Sequence, residues 1–241
     1  MATQIVIFGE VPENPVVVEG FPSSAFVGTI SAMHIIKEMN METIGYVKSD
    51  KLLNIALVHD YAPSYPIRIY KKDNIVVLIS EIIIPASLIS ELSKSLMEWF
   101  DSIKPKQLIS LAGISGRQTT QDHEVFGIST NEKINEKLTQ SGIKLINEGT
   151  IAGISADILL YAKYNNIDGI SLMVETQLLV DPKAAAFIIN VLNNILSLNI
   201  NSEKLLIEGE RMEEIFNNLF EEMKEGMKRY KQMEDRGPMY G

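Results

Sequence analysis

Short β-branched runs alternate with longer amphipathic stretches over the first two-thirds of the chain, and this alternation leaves few architectures open. The runs are Gln4–Phe8, Val16–Glu19, Thr43–Val47, Asn54–Val58, Ile67–Lys71, Ile75–Ser80, Gln107–Ala112, Ile143–Glu148 and Gly169–Val174. Several are apolar at every position instead of every second one, as in strands buried on both faces. Between them, Ser87 to Ile103 sets Leu88, Leu92, Leu96, Trp99 and Ile103 on one helical stripe, and Ala25–Met39 and Asn131–Gln140 read similarly. Asp181-Pro182 opens a further helix with a carboxylate at the N-cap and proline at N1. The body of that helix, Ala184 to Leu198, is apolar on most sides and is expected to be buried. The expected fold is α/β, a mainly parallel sheet flanked by helices on both faces. Too few residues separate the runs between Asn54 and Ser80 for crossover helices, so an antiparallel excursion is expected there.

With 241 residues, the chain suits one large domain, or one domain with an appendage. Apolar residues make up 46%, enough for a substantial core. The 22 basic and 31 acidic side chains give a net charge of −9, which disfavours a nucleic-acid partner because phosphate contacts need clustered cations. Cysteine is absent, which removes disulfides, thiolate metal sites and any cysteine nucleophile, and fits a reducing cytoplasm. No signal peptide is read at Met1–Phe8, and no apolar run reaches the ~20 residues of a membrane span. A cytoplasmic protein with no membrane partner is expected.

From Glu203 to Arg236 the chain becomes strongly charged. Met212, Phe216, Leu219, Met223, Met227, Tyr230 and Met233 step by threes and fours, an apolar seam on a long helix close to a heptad pattern. Such a helix either packs across its own domain or associates with copies of itself, and a homo-oligomer is the expectation adopted here.

Few residue groups point to chemistry. Gly113-Ile114-Ser115-Gly116-Arg117 follows a strand end, where backbone N–H groups and an arginine suit a phosphate or carboxylate, or where glycine merely permits a turn. Gly149 to Gly153 leads into a helix that Ser155 is placed to cap. Neither Ser115 nor Ser155 stands in a Gly-x-Ser-x-Gly frame. Of the three histidines, His34 falls inside a helix pattern, His59 precedes a Tyr–Pro-rich loop, and His123 belongs to a polar segment expected to be solvated. Glu175 and Asp181 flank a strand end and form a possible acid–base pair, although the N-cap already accounts for Asp181. No catalytic residue, metal ligand or cofactor site is assigned.

Gly20-Phe21-Pro22 leading to Phe26-Val27-Gly28 resembles the N-terminal signature of the proteasome assembly chaperone family, in its second type and archaeal homologues. The resemblance continues through Leu111-Ala112-Gly113-Ile114 and Gly149…Gly153-Ile-Ser-Ala-Asp-Ile-Leu-Leu. It ends at Asp181-Pro-Lys-Ala-Ala-Ala186. It implies a fold similar to nucleoside phosphorylases and hydrolases without their catalytic residues, and a role as chaperone or regulator of the proteasome core particle. It implies no cofactor.

The chain closes on Gly237-Pro238-Met239-Tyr240-Gly241. A hydrophobic residue, a penultimate tyrosine and any last residue resemble the tail by which proteasomal ATPases and activators dock on the outer α ring. The resemblance implies partner contacts by Met239, Tyr240 and the carboxylate of Gly241. Physically, only a chain end supplies a free carboxylate, and tyrosine offers a large anchor at low conformational cost. The expected organisation is an α/β core over 1–200, a helical extension over 201–235 and a docking tail over 236–241. The competing expectation is a small-molecule phosphorylase or hydrolase built on the Gly113–Arg117 loop with His123 or Glu175.

Overall fold

The computed structural model describes residues 3–52, 54–59, 61–116 and 123–207, with positions 209, 211, 213, 214, 217, 218, 221, 224 and 225 beyond them. In chain order the strands are β1 (Gln4–Ile7), β2 (Val16–Gly20), β3 (Glu42–Lys48), β4 (Leu57–His59), β5 (Ala62–Ser64), β6 (Ile67–Lys72), β7 (Ile75–Ser80), β8 (Gln107–Ser115), β9 (Val125–Ser129), β10 (Lys144–Leu145) and β11 (Asp168–Thr176). The helices are α1 (Val27–Glu38), α2 (Ala86–Ile103), α3 (Glu132–Gln140), α4 (Ile154–Tyr164), α5 (Pro182–Leu196) and α6 (Glu203–Ile207).

Among the described residues, nine strands form one sheet in the order β1-β3-β6-β7-β2-β8-β11-β9-β10, while β4 and β5 pair as a separate hairpin. The four central strands β7, β2, β8 and β11 run parallel. Antiparallel pairing carries both flanks, through β6, β3 and β1 on one side and β9 on the other. The excursion between Asn54 and Ser80 is therefore present as expected. β2 shows why the centre is parallel: all five of its residues are buried, which requires helices on both faces.

Alternate residues of the central strands enter two separate cores. Val16, Val18, Ile109 and Leu111 pack with α1 and α5, while Val17, Leu108, Val76 and Leu78 pack with α2 and α4. On α2, Leu88, Leu92 and Leu96 are fully buried at spacings of four, each contributing about 1.5–3 kcal/mol of apolar burial. α2 ends at Lys104, whose left-handed backbone (φ 48°) lets its N–H reach the Phe100 carbonyl. The expected cap of α5 is present, Asp181 Oδ1 accepting from the Ala184 N–H at 2.9 Å.

Several boundaries differ from expectation. β8 runs on to Ser115, because Gly113 and Ile114 continue the parallel ladder opposite Val174 and Glu175. β10 is only two residues long, and β4 begins at Leu57 rather than Asn54. β9 and β5 have no counterpart among the expected strands. Ser155 does not cap α4: Gly153 holds the N-cap position at φ 76°, and Ser155 lies inside the helix. The described positions beyond 207 are helical, and those from 211 to 225 are exposed. The seven seam residues, Arg117, and the tail Met239, Tyr240 and Gly241 lie outside the described residues.

Candidate functional site

The carboxyl ends of β2, β8 and β11 meet along one edge of the sheet, the place where open α/β folds usually hold ligands. Here the edge is bolted by the protein's own groups. Gly113 donates its N–H to Ser23 Oγ at 3.1 Å, and its carbonyl accepts from Ser23 Oγ at 2.9 Å and Ser24 Oγ at 2.6 Å. A Cβ at Gly113 would stand 2.9 Å from the Ala25 methyl, so the space that glycine leaves is filled by the β2–α1 connection. The N–H of Gly116 points to the Thr176 carbonyl at 3.4 Å, and its α-carbon lies under the Glu175 side chain. Two of the backbone donors read from sequence as a possible anion cradle, those of Gly113 and Gly116, are thus directed to partners within the fold.

His123 is packed and not solvated, contrary to expectation, its side chain being only 10% exposed. Nδ1 donates to the Glu175 carbonyl at 3.1 Å, Nε2 stands 3.5 Å from Asp181 Oδ2, and the ring meets Phe187 edge-on. Asp181 Oδ2 also accepts from Thr176 Oγ1 at 2.6 Å, while Oδ1 caps α5. The structure brings His123, Glu175 and Asp181 together, with Glu175 taking part through its backbone. The result is a brace joining the end of β11 to the start of α5.

Three buried charged groups, Glu19, Arg68 and Glu81, escaped the sequence analysis. Glu19, at the sheet centre and 1% exposed, accepts from the Phe21 N–H at 2.7 Å, Ser110 Oγ at 2.6 Å and Ser155 Oγ at 3.0 Å. Burial pushes its carboxyl above the usual range, and the three donors partly offset this. Arg68 on β6 pairs with Glu81, just beyond β7, and stands near the Tyr70 ring. His59 of the β4–β5 hairpin places Nε2 3.1 Å from Glu81 Oε2 and 3.1 Å from Arg68 Nη2. Burial lowers the Arg68 pKa, so it is the pairing with Glu81 that makes its charge tolerable there. The available signal was a charge inside an apolar run: Glu19 after three valines, Arg68 between isoleucines, and Glu81 ending Ile75–Ser80.

His34 is buried in α1 and donates Nε2–H to the Asn201 carbonyl at 2.7 Å, tying that helix to the start of α6. Among the described residues no group of three or more His, Asp or Glu is placed to hold a metal ion, and no helix is long and apolar enough to cross a membrane. The edge is therefore a set of hydrogen-bonded joints that fix the β2–α1 connection, the end of β11 and the start of α5.

A mixed sheet with a parallel centre, helices on both faces and glycines spent on close packing defines the class of the scaffold, a layered α/β fold. The sequence matches the PAC2 family over residues 17–219, and the chain belongs to that family. The uncharacterized protein MJ0106 of Methanocaldococcus jannaschii is 32% identical over 95% of this chain and 93% of its own length. The crystal structure of Pyrococcus furiosus PbaA, an archaeal homolog of proteasome-assembly chaperone, superposes with a TM-score of 0.85 at 34% identity, over 93% of this chain and 99% of that one. Pyrococcus furiosus PbaB, an archaeal proteasome activator, shares the fold with a TM-score of 0.74 at 20% identity, over 90% of this chain and 98% of that one.

Proposed function

We propose that this chain is a non-enzymatic proteasome assembly chaperone or activator-like protein that binds the α ring of the core particle through its C-terminal tail. The observation that carries the reading is the likeness to PbaA over nearly the whole chain, in sequence and in fold together. In this reading residues 1–200 form the core, 201–235 a helical extension and 236–241 the docking tail. Met239 and Tyr240 fill an apolar pocket, and the Gly241 carboxylate meets a cation there. The seam from Met212 to Met233 associates copies of the chain into a homo-oligomer, and the protein works in the cytoplasm.

The engagement of Gly113, His123 and Asp181 within the fold supports a binding role over catalysis. Gly113 is bonded to Ser23 and Ser24, and His123 and Asp181 are packed against the Glu175 carbonyl, Thr176, Phe187 and the start of α5. Purified core particle decides the matter. Intact chain should bind it, and chain lacking the last three residues should not; equal binding by both overturns the tail assignment. Turnover of a nucleoside or ester that vanishes in Arg117→Ala would overturn the non-enzymatic reading.

A further inference from the structure

The two edges of the nine-stranded sheet are built differently. β10 is only two residues long, both exposed, and Lys144 within it pairs with Glu124 at 2.6 Å. Shortness, charge, proline and bulges are the usual devices that keep an edge from pairing with other chains. β1, at the opposite edge, has no charge, no proline and no bulge against β3. Its register shows which backbone groups lack a partner. Phe8 donates its N–H to the Ile44 carbonyl at 2.9 Å, and Ile7 stands opposite Gly45. Alternate residues of an antiparallel strand bond to the neighbour, so Gln4, Val6 and Phe8 face β3 while Ile5 and Ile7 direct N–H and C=O outward. Thr3 faces outward too, and its carbonyl accepts from Ser95 Oγ of α2 at 3.0 Å. Among the described residues nothing bonds to the outward groups of Ile5 and Ile7.

Apolar side chains border this edge on both faces. Ile5 and Ile7 pack half-buried on the α2 core. Val6 and Phe8 lie on the opposite face by alternation, where Phe8 is 63% exposed and its ring stands 6.4 Å from that of Tyr46. A groove of about 610 Å³ runs between β1 and α2, with Trp99 on its α2 side. Of the described residues that line it, Glu98 alone is charged. Its contact with Lys94 is exposed and 3.9 Å long, a pair worth little. These features specify an occupant. Outward N–H and C=O groups call for an extended backbone, the bordering side chains for apolar residues, and the carboxylate for a cation.

We infer that the β1 edge takes up an extended peptide segment of another protein as an added strand, with apolar side chains and a Lys or Arg opposite Glu98. The surface is separate from the C-terminal tail, and its test involves no proteasome. Fluorescence polarisation of the full chain with a short labelled peptide of alternating valine and threonine and one central lysine provides that test. The peptide should bind saturably. The same peptide N-methylated along its backbone, or with glutamate for lysine, should bind at least ~10-fold more weakly. Glu98→Lys should reverse the preference between lysine and glutamate peptides. Ile5→Pro removes an outward N–H and no β1–β3 bond, and should abolish binding with the circular-dichroism spectrum unchanged. Glu98→Lys changes an exposed position, so the test stands however Ile5→Pro folds. No saturable binding at ~1 mM lysine peptide, equal binding of the N-methylated form, or an unchanged preference in Glu98→Lys would each overturn the inference. A fall in light-scattering mass of the free, folded Ile5→Pro protein would assign the edge to a second copy and overturn it as well.

Discussion

Glu19 holds three donors, from the β2–α1 connection, β8 and α4, and its carboxyl is pushed up by burial from an ordinary value near 4.5. A carboxyl whose pKa is raised on folding stabilises the fold most below its unfolded value. That contribution is lost as pH rises through the folded value. Glu19→Gln keeps an acceptor for the Phe21 N–H and cannot ionise. The stability of the variant relative to wild type should therefore increase from acidic to neutral pH, as urea unfolding at a series of pH values will show. A pH-independent difference would mean that Glu19 does not titrate across that range. At the chain end, Tyr240→Ala should weaken core-particle binding by ~2 kcal/mol or more, over ~25-fold, measured by surface plasmon resonance. Tyr240→Phe should lose less, since only the hydroxyl goes. Residues added after Gly241 should harm as much as the alanine change because they displace the carboxylate. Thermal unfolding should be unaltered in all three.

α1 rests on the sheet at backbone distance, and glycine makes that possible. A Cβ at Gly28 would stand 2.2 Å from the Leu111 carbonyl oxygen, and one at Gly20 would stand 2.5 Å from the Gly28 carbonyl oxygen. Gly28→Ala should destabilise by ~3 kcal/mol by overpacking, because the obstacle is backbone and cannot turn aside. Gly142→Ala, with open space around it but φ at +78°, should cost only about 1–2 kcal/mol in backbone strain. Chemical denaturation of both variants checks the contrast. These elements also show what could be read in advance. The stripes of α2 and α5 and the buried run of β2 announced themselves, since period and composition are local properties. β9 did not: Val-Phe-Gly-Ile-Ser is short, carries a glycine and follows a polar segment. The joint at Glu19 was hidden, because Ser110 and Ser155 reach it from distant parts of the chain, whereas Glu175 and Asp181 could be paired in sequence and only the arrival of His123, 52 positions from Glu175, could not.

For the whole molecule, the order of the strands along the sheet differs from their order along the chain. β2 lies between β7 and β8, so its ladders join Val16–Gly20 to Ile75–Ile79 on one side and Val16–Glu19 to Gln107–Ser110 on the other. A ribosome releasing this chain from its N-terminus presents Val-Val-Val long before either neighbour exists. The flank β3-β6-β7 pairs antiparallel over short separations and can form first, giving β2 one edge. The second edge must await β8, and the α1–α5 core stays incomplete until residues 182–196 have emerged. Throughout that interval an apolar strand and one open sheet edge face solvent, the kind of surface that sticks to other nascent chains. A protein with this scaffold therefore passes through a stage in its own synthesis when it is itself a client for holding factors. Slowing translation after β7 should raise its misfolded fraction, whereas slowing it after α5 should not.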